Sequence, residues 1–201
     1  MRPEAAPLAG LVLAGGHSRR MQRDKATLEF AGETQLARAV RLVAAHATDT
    51  FVSVRPDQTT DPERARFAQI VDGMEGEGPA AGLLAAFAAR PGHAWLVVAV
   101  DLPLLDATTL ADLVARRDPQ ALATAYASAH DGLPEPLCAI WEPASRAPLA
   151  AFVRAGRSCP RKFLLSAGAT LLELASPEAL ANVNTPADYA AVLARGAGGA
   201  R

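Results

Sequence analysis

The chain predicts an α/β fold: one domain built on a mainly parallel open sheet with helices on both faces. Three observations predict it. Apolar runs alternate with amphipathic stretches from end to end, the βαβα order of such sheets. The run Trp95 to Val100 carries no charge and stops at Asp101, as a central strand covered on both faces does. Glycines or carboxylates follow several of the apolar runs, where ligands of open α/β sheets bind.

The elements follow in order. Leu8 to Leu13 reads as a buried first strand, and Thr34 to His46 as a helix with Leu36, Val40 and Val43 on one face. Thr50 to Val54 is the second strand and Gln69 to Asp72 a short third, after a polar connection holding Pro56 and Pro62. Pro79 stands at a plausible first helical position, with Leu83, Leu84 and Phe87 at helical spacing through Ala89. Thr109 to Arg117 reads as helical, Ala121 to Ala127 and Leu137 to Trp141 as extended, and Pro143 to Ala155 as helical. After Pro160 come a short helix, a strand at Thr170 to Leu174, and a last helix opened by Thr185-Pro186, where threonine caps and proline starts. The domain is set at residues 1–195, with 196–201 as a frayed tail.

Composition narrows the function. Of 201 residues half are hydrophobic, enough for a substantial core, yet no charge-free apolar run reaches about 18 residues, so no membrane span is expected. The N-terminus lacks the basic, apolar, small-residue order of a signal peptide, and a cytoplasmic location is expected. A net charge of −1 gives no global field to draw in nucleic acid. Cys138 and Cys159 have no metal spacing, and the histidines at 17, 46, 93 and 130 are scattered, which argues against zinc. No nucleophile motif surrounds Cys138, which reads as core despite His130 and Asp131 nearby.

Against that neutral background one segment is strongly cationic. Leu13-Ala14-Gly15-Gly16 ends the first strand, and the next ten residues hold Arg19, Arg20, Arg23 and Lys25 against one carboxylate, Asp24. Glycines let the backbone turn and approach an anion while cations neutralise it from the side, the chemistry of a polyphosphate cradle. An ordinary Gly-Gly turn with solvated arginines is the competing reading. The P-loop and dinucleotide frames both fail here.

Asp101, held by the rigid apolar Leu102-Pro103-Leu104-Leu105, suits a Mg²⁺ ligand, since that ion uses one or two carboxylates together with water and substrate phosphates; a capping aspartate is the alternative. The cluster Gly73, Gly76, Gly78 and Gly82 lacks dinucleotide spacing, and Glu75 and Glu77 would repel a pyrophosphate. It reads either as a loop meeting a base or sugar, with Asp72 at its root, or as a plain surface loop. Asn182 and Asn184 share one side of an extended segment, to bind a polar ligand or to shape an Asx turn.

Taken together, these pieces resemble the molybdenum cofactor guanylyltransferase family, nucleotidyltransferases with a Rossmann-like α/β fold. The resemblance rests on Leu13-Ala14-Gly15-Gly16-His17-Ser18-Arg19-Arg20-Met21-Gln22 with Asp24-Lys25, on Gly78-Pro79-Ala80-Ala81-Gly82-Leu83, on Asp101-Leu102-Pro103-Leu104-Leu105, and on Asn182-Val183-Asn184-Thr185-Pro186. Gln22 stands where the family usually has glycine, and Ser53 near where an asparagine often helps hold the nucleotide. Gly15 and the 78–83 segment favour guanine over cytosine, because the related cytidylyltransferases resemble Leu-Ala-Ala-Gly at the opening and carry a serine-rich segment later.

The resemblance implies transfer of GMP from GTP to the terminal phosphate of molybdopterin or molybdenum cofactor, with release of pyrophosphate. It implies that Leu13, Ala14, Gly15, Gly16, Lys25, Ser53, Asp72, Gly78 and Asp101 serve the nucleotide. Arg20 and Lys25 then face the phosphates, Asp101 holds Mg²⁺ (with Mn²⁺ as the alternative ion), and Asn182 and Asn184 serve the pterin. Proteins that insert and deliver the cofactor are the expected partners, and neither nucleic acid nor membrane is. Two alternatives stand beside it: a cytidylyltransferase or sugar-phosphate nucleotidyltransferase, and a non-catalytic nucleotide-binding cofactor carrier.

Overall fold

The computed structural model describes residues 5–16, 23–30, 32–73 and 78–198. Its elements run β1 (Leu8–Leu13), β2 (Glu29–Phe30), β3 (Glu33–Thr34), α1 (Gln35–Ala44), β4 (Thr50–Val54), β5 (Gln69–Val71), α2 (Pro79–Ala89) and β6 (Ala94–Ala99). There follow α3 (Ala107–Ala115), β7 (Ala123–Ala127), β8 (Pro134–Trp141), α4 (Arg146–Arg154), α5 (Pro160–Ala167), β9 (Thr170–Leu172) and α6 (Pro186–Gly198). Seven strands form one sheet in the order β5-β4-β1-β6-β8-β7-β9. β5, β4, β1 and β6 are mutually parallel, and β7 and β9 are parallel to each other. β8 alone is reversed, antiparallel to β6 and to β7.

The side-chain alternation of a strand divides the core into two layers, one on each face of the sheet. From β6, Ala94, Leu96 and Val98 join Val12, Val52, Val54 and Ile140 under α1 and α3. Trp95 and Val97 point the other way and join Ala9, Leu11, Ala139 and Trp141 under α2, α4 and α5. Trp95 and Trp141 sit opposite each other across the β6–β8 pair, both fully buried. A third, small cluster of Leu28, Val183 and Val192 ties α6 to the segment just after the opening loop.

Helix starts follow the local chemistry. The Thr34 hydroxyl accepts the Ala37 N–H at 3.2 Å and opens α1. The Asp106 carboxylate accepts the Thr109 N–H at 2.7 Å, so α3 begins at Ala107, ahead of the expected Thr109. At α6 the Thr185 hydroxyl accepts from Asp188 N–H at 3.2 Å, while the Asp188 carboxylate accepts from Thr185 and Asn184 N–H at 2.8 and 3.0 Å, a reciprocal cap. That helix runs through Gly198, past the expected start of the tail at Gly196; residues 199–201 lie outside the described set.

Two further differences have simple causes. The β2–β3 hairpin was not expected, because two residues per strand are too few to show a period. β8 starts at Pro134 rather than Leu137: Pro134 and Pro136 lack an N–H, and the β7–β8 register shifts between Ala125 and Ala127 where they enter the sheet. Among the described residues no helix is long and apolar enough to cross a membrane.

Candidate active site

Four adjacent parallel strands deliver their carboxyl ends to one edge. The ladder continues a residue beyond three of them: Ala14 N–H donates to Ser53 C=O at 3.2 Å, Asp72 N–H to Val54 C=O at 2.9 Å, and Val100 N–H to Leu13 C=O at 3.2 Å. Leu13, Ala14, Gly15, Gly16, Asp72 and Asp101 therefore gather along this edge, as the strand order requires. Neither Gly15 nor Gly16 adopts the positive φ that only glycine takes easily, so the sharp turn expected of them is not what calls for glycine. Among the described residues a Cβ on Gly16 would meet nothing within 4 Å, and one on Gly15 would lie 3.6 Å from Asp72 Oδ2. What these glycines provide is bare backbone at the strand edge.

Asp72 is half-buried, and burial raises its carboxyl above the usual value, against the Arg55 charge and a hydrogen bond from the Ser53 hydroxyl. Ser53 itself is 1% exposed. Its hydroxyl donates to Asp72, so Ser53 stands buried behind that carboxylate. Above Ser53 runs α2, and Gly82 allows the close approach: a Cβ there would lie 2.5 Å from Ser53 Oγ and 2.8 Å from Leu13 Cδ2. Gly78, just before that helix, has φ +54°, a conformation that disfavours any side chain.

Two arginines that the sequence did not single out grip the loop from below. The Arg55 guanidinium donates to Gly15 C=O. Arg64, 1% exposed, donates from Nε and Nη2 to Ala14 C=O at 3.2 and 2.8 Å, and from Nη1 and Nη2 to the two Asp24 oxygens at 2.6 and 3.0 Å. Its Nη1 also reaches Asp61 Oδ1 at 3.1 Å. Burial alone would lower the Arg64 pKa, but Asp24 and Asp61 hold it above the usual arginine value. In sequence, Arg64 looks the same as Arg66, whose side chain is 57% exposed.

On the other side of the edge Lys25 joins two of the expected groups. Its Nζ lies 3.0 Å from Asp101 Oδ2 and 2.7 Å from Asn184 Oδ1. Asp24 supplies the turn that carries it, accepting the Ala26 N–H at 3.0 Å, and Asp101 C=O accepts the Val183 N–H at 3.0 Å. Asp101, Lys25 and the 182–184 segment are thus one connected unit. Arg20, the remaining expected cation, lies outside the described residues.

Beside this unit opens a cavity of about 400 Å³, lined among others by Gly78, Asp101, Glu135, Cys159, Arg161 and Asn182. Glu135 accepts from Arg161 at 2.8 Å on its wall. Cys138 also borders it, but burial, with the Glu135 charge adding to it, pushes that thiol up to about 12 and keeps it protonated, in line with the core role expected of it. Among the described residues no three His, Cys, Asp or Glu side chains group to enclose a metal. Any divalent ion here depends on Asp101 with water and ligand oxygens, a donor set that fits Mg²⁺.

A carboxyl-edge loop of bare glycines, with a lysine–aspartate pair beside an open cavity, is equipped to align a phosphate chain against an acceptor. The chain matches known proteins over most of its length. The family model for the MobA-like NTP transferase domain matches residues 10–172. The chain is 36% identical over 186 residues to a molybdenum cofactor biosynthesis bifunctional protein of Synechocystis sp., covering 91% of this chain and 53% of that protein, so it spans about half of that relative's length. It is 36% identical over 188 residues to a molybdenum cofactor guanylyltransferase of Pseudomonas fluorescens, covering 90% of each. Molybdopterin-guanine dinucleotide biosynthesis protein A from Archaeoglobus fulgidus superposes with a TM-score of 0.72 at 21% identity, over 94% of this chain and 96% of that one, a likeness of fold. With the family model covering most of its length and the two cofactor-biosynthesis relatives identical to it at 36% of the aligned positions, the chain belongs to the MobA-like NTP transferase family and is a nucleotidyltransferase.

Proposed function

We propose that the enzyme transfers GMP from GTP to the terminal phosphate of molybdopterin or molybdenum cofactor, with pyrophosphate leaving. The observation that supports this most is the shared cavity: Gly78 and Asp101, from the set expected for the nucleotide, line the same space as Asn182, expected for the acceptor.

An acceptor phosphate monoester, with a second pKa near ~6, is largely dianionic at neutral pH and attacks the α-phosphorus without a protein base. One P–O bond forms to the acceptor oxygen, and the bond to the β-phosphate oxygen breaks with its electron pair going to pyrophosphate. The protonated thiol of Cys138 suits a direct displacement that needs no covalent enzyme intermediate. The chain's task is to align two anions and offset their charge. Backbone from Leu13 to Gly16 receives the phosphates, Asp72 the nucleoside, and Asn182 the acceptor. Lys25, bonded to both Asp101 and Asn184, fixes the distance between the two halves. Asp101 would hold Mg²⁺, or Mn²⁺, which supplies positive charge to phosphate oxygens. The product would pass to proteins that insert the cofactor, in the cytoplasm.

The test supplies molybdopterin with GTP or CTP and Mg²⁺ and measures dinucleotide and pyrophosphate together. GTP should be the better donor, and chelation of the metal should stop turnover. Equal or better use of CTP would overturn the choice of base; tight GTP binding without turnover would make the protein a carrier.

A further inference from the structure

We propose that Arg64 is a positioning residue for polyphosphate binding: buried beneath the cationic loop, its guanidinium clasps the two ends of that loop, Ala14 and Asp24, in one fixed geometry. The inference rests on the proposed function only in requiring a polyphosphate at this loop, and it is independent of the base.

A guanidinium offers five N–H donors in a rigid planar fork, and Arg64 aims them at three acceptors on three different segments: Ala14 C=O, both oxygens of Asp24, and Asp61 Oδ1. Asp24 is gripped end-on by one N–H from each of Nη1 and Nη2, a bidentate, charge-assisted pairing that fixes direction as well as distance. Burial of a cation is tolerated only when it is so completely bonded.

The two clasped residues adjoin Gly15-Gly16 on one side and Lys25 on the other, the described groups expected to meet the anion. Ala14 immediately precedes Gly15-Gly16, and its carbonyl is turned down onto Arg64 while the neighbouring Gly15 carbonyl is turned onto Arg55. Two successive carbonyls that would repel phosphate are thereby neutralised and directed away from the ligand side. At the far end, the Asp24 carboxylate held by Arg64 also accepts the Ala26 N–H, which shapes the turn bearing Lys25. One guanidinium therefore sets the Gly-Gly backbone and the lysine together. Asp24 and Asp61 offset its charge, so Arg64 acts through the loop and does not itself meet the phosphate.

Lysine retains the charge but not the fork, so Arg64→Lys separates geometry from electrostatics. Binding of GTP and of inorganic triphosphate, which carries no base, is measured on Arg64→Lys, Asp24→Asn and Asp61→Asn beside the unaltered enzyme. Arg64→Lys and Asp24→Asn should each weaken both ligands about tenfold or more, the effect of losing hydrogen bonds to a charged group. The KM for the acceptor should change less than the affinity for either anion, since the clasp reaches the acceptor side only indirectly, through Lys25 and Asn184. Asp61→Asn loosens the same buried arginine without touching either end of the loop, and should weaken both ligands by less than either of those variants. Should Arg64→Lys fail to fold, Asp24→Asn carries the test from the loop's side. Three results overturn the inference: unchanged triphosphate affinity in Arg64→Lys or Asp24→Asn, a loss in Asp61→Asn as large as theirs, or no triphosphate binding by the unaltered enzyme. Loss of preference for GTP over CTP, with the clasp effect on triphosphate intact, overturns only the choice of base.

Discussion

The Lys25 ammonium stands 3.0 Å from the Asp101 carboxylate although 76 positions separate them in sequence. Both groups are mostly shielded, with side-chain exposures of 15% and 21%. Such a pair acts as a unit, and its members are not additive. Lys25→Met and Asp101→Asn should each reduce turnover by roughly 10² or more, as loss of a preorganised electrostatic contact does. The double variant should be little worse than the poorer single one. Single-turnover rates for the four proteins measure the coupling, and effects that simply multiply would show the two residues working separately.

Gly82 should not tolerate a methyl group. The Cβ of alanine would lie 2.5 Å from Ser53 Oγ and 2.8 Å from Leu13 Cδ2, so either α2 lifts or Ser53 turns away from Asp72. Overpacking of this kind costs about 1–3 kcal/mol, which urea denaturation reads directly. GTP affinity should fall as well, because Ser53 supports the Asp72 carboxylate. A Gly82→Ala enzyme with normal stability would show that the helix yields without strain.

Acid should weaken the nucleotide early. Burial raises the Asp72 carboxyl above the ordinary 3.8, with the Arg55 charge and the Ser53 hydroxyl opposing it. Between 3.8 and the raised folded value the folded chain keeps a proton that the unfolded chain has released. This group's contribution to stability therefore declines as pH rises through that window. Binding should run the other way, since the proposed contact with the nucleoside needs the carboxylate: affinity should fall as pH drops toward the raised value. Titration of GTP affinity from about pH 7 to about pH 4 should show this fall in the unaltered enzyme and a weaker, flatter profile in Asp72→Asn. An equally steep fall in the variant would assign the titration to another group.

The two cysteines should differ sharply toward a disulfide reagent. Cys138 is buried with its thiol pushed up to about 12, whereas Cys159 is exposed. At about pH 8 one thiol per native chain should react, and two after denaturation. Retention of that single reaction in Cys159→Ser would show that Cys138 is reachable through the cavity.

Arg117 and Glu142 form a bidentate pair at 2.7 and 2.9 Å, far from the loop, with side-chain exposures of 11% and 2%. Removing one partner leaves a charge buried alone. Arg117→Met should cost about 3–5 kcal/mol, and the double replacement Arg117→Met with Glu142→Leu should recover much of it. Denaturant midpoints test both, and GTP affinity should not move.

The fold was legible because its strands are long enough to show a pattern and its core strand carries no charge from Trp95 to Val100. The placement of Gly15, Asp72 and Asp101 at one edge follows from strand polarity alone. What remained hidden were contacts with no local signature. Arg64 and Arg66 are alike in sequence, and only the packed structure buries one of them. Lys25, Asp101 and Asn184 were each expected at the site, yet nothing in their spacing says that one ammonium joins the other two. The β2–β3 hairpin was too short to detect, and two prolines concealed the first residues of β8.

That reversed strand has a further consequence. Because β8 runs against β6, its amino end lies where the parallel strands finish, and so Glu135 and Pro136 form the cavity wall opposite Gly78 and Asp101. One wall is built from loops that leave the sheet, the other from a strand entering it, and the pairing of Val98 with Cys138 and its neighbours joins the two. A slip of two residues in that pairing would carry Glu135 and Pro136 roughly 7 Å along the wall and leave Asp101 in place. The breadth of the cavity is in this sense a matter of strand register, adjustable without disturbing the edge proposed to receive the phosphates.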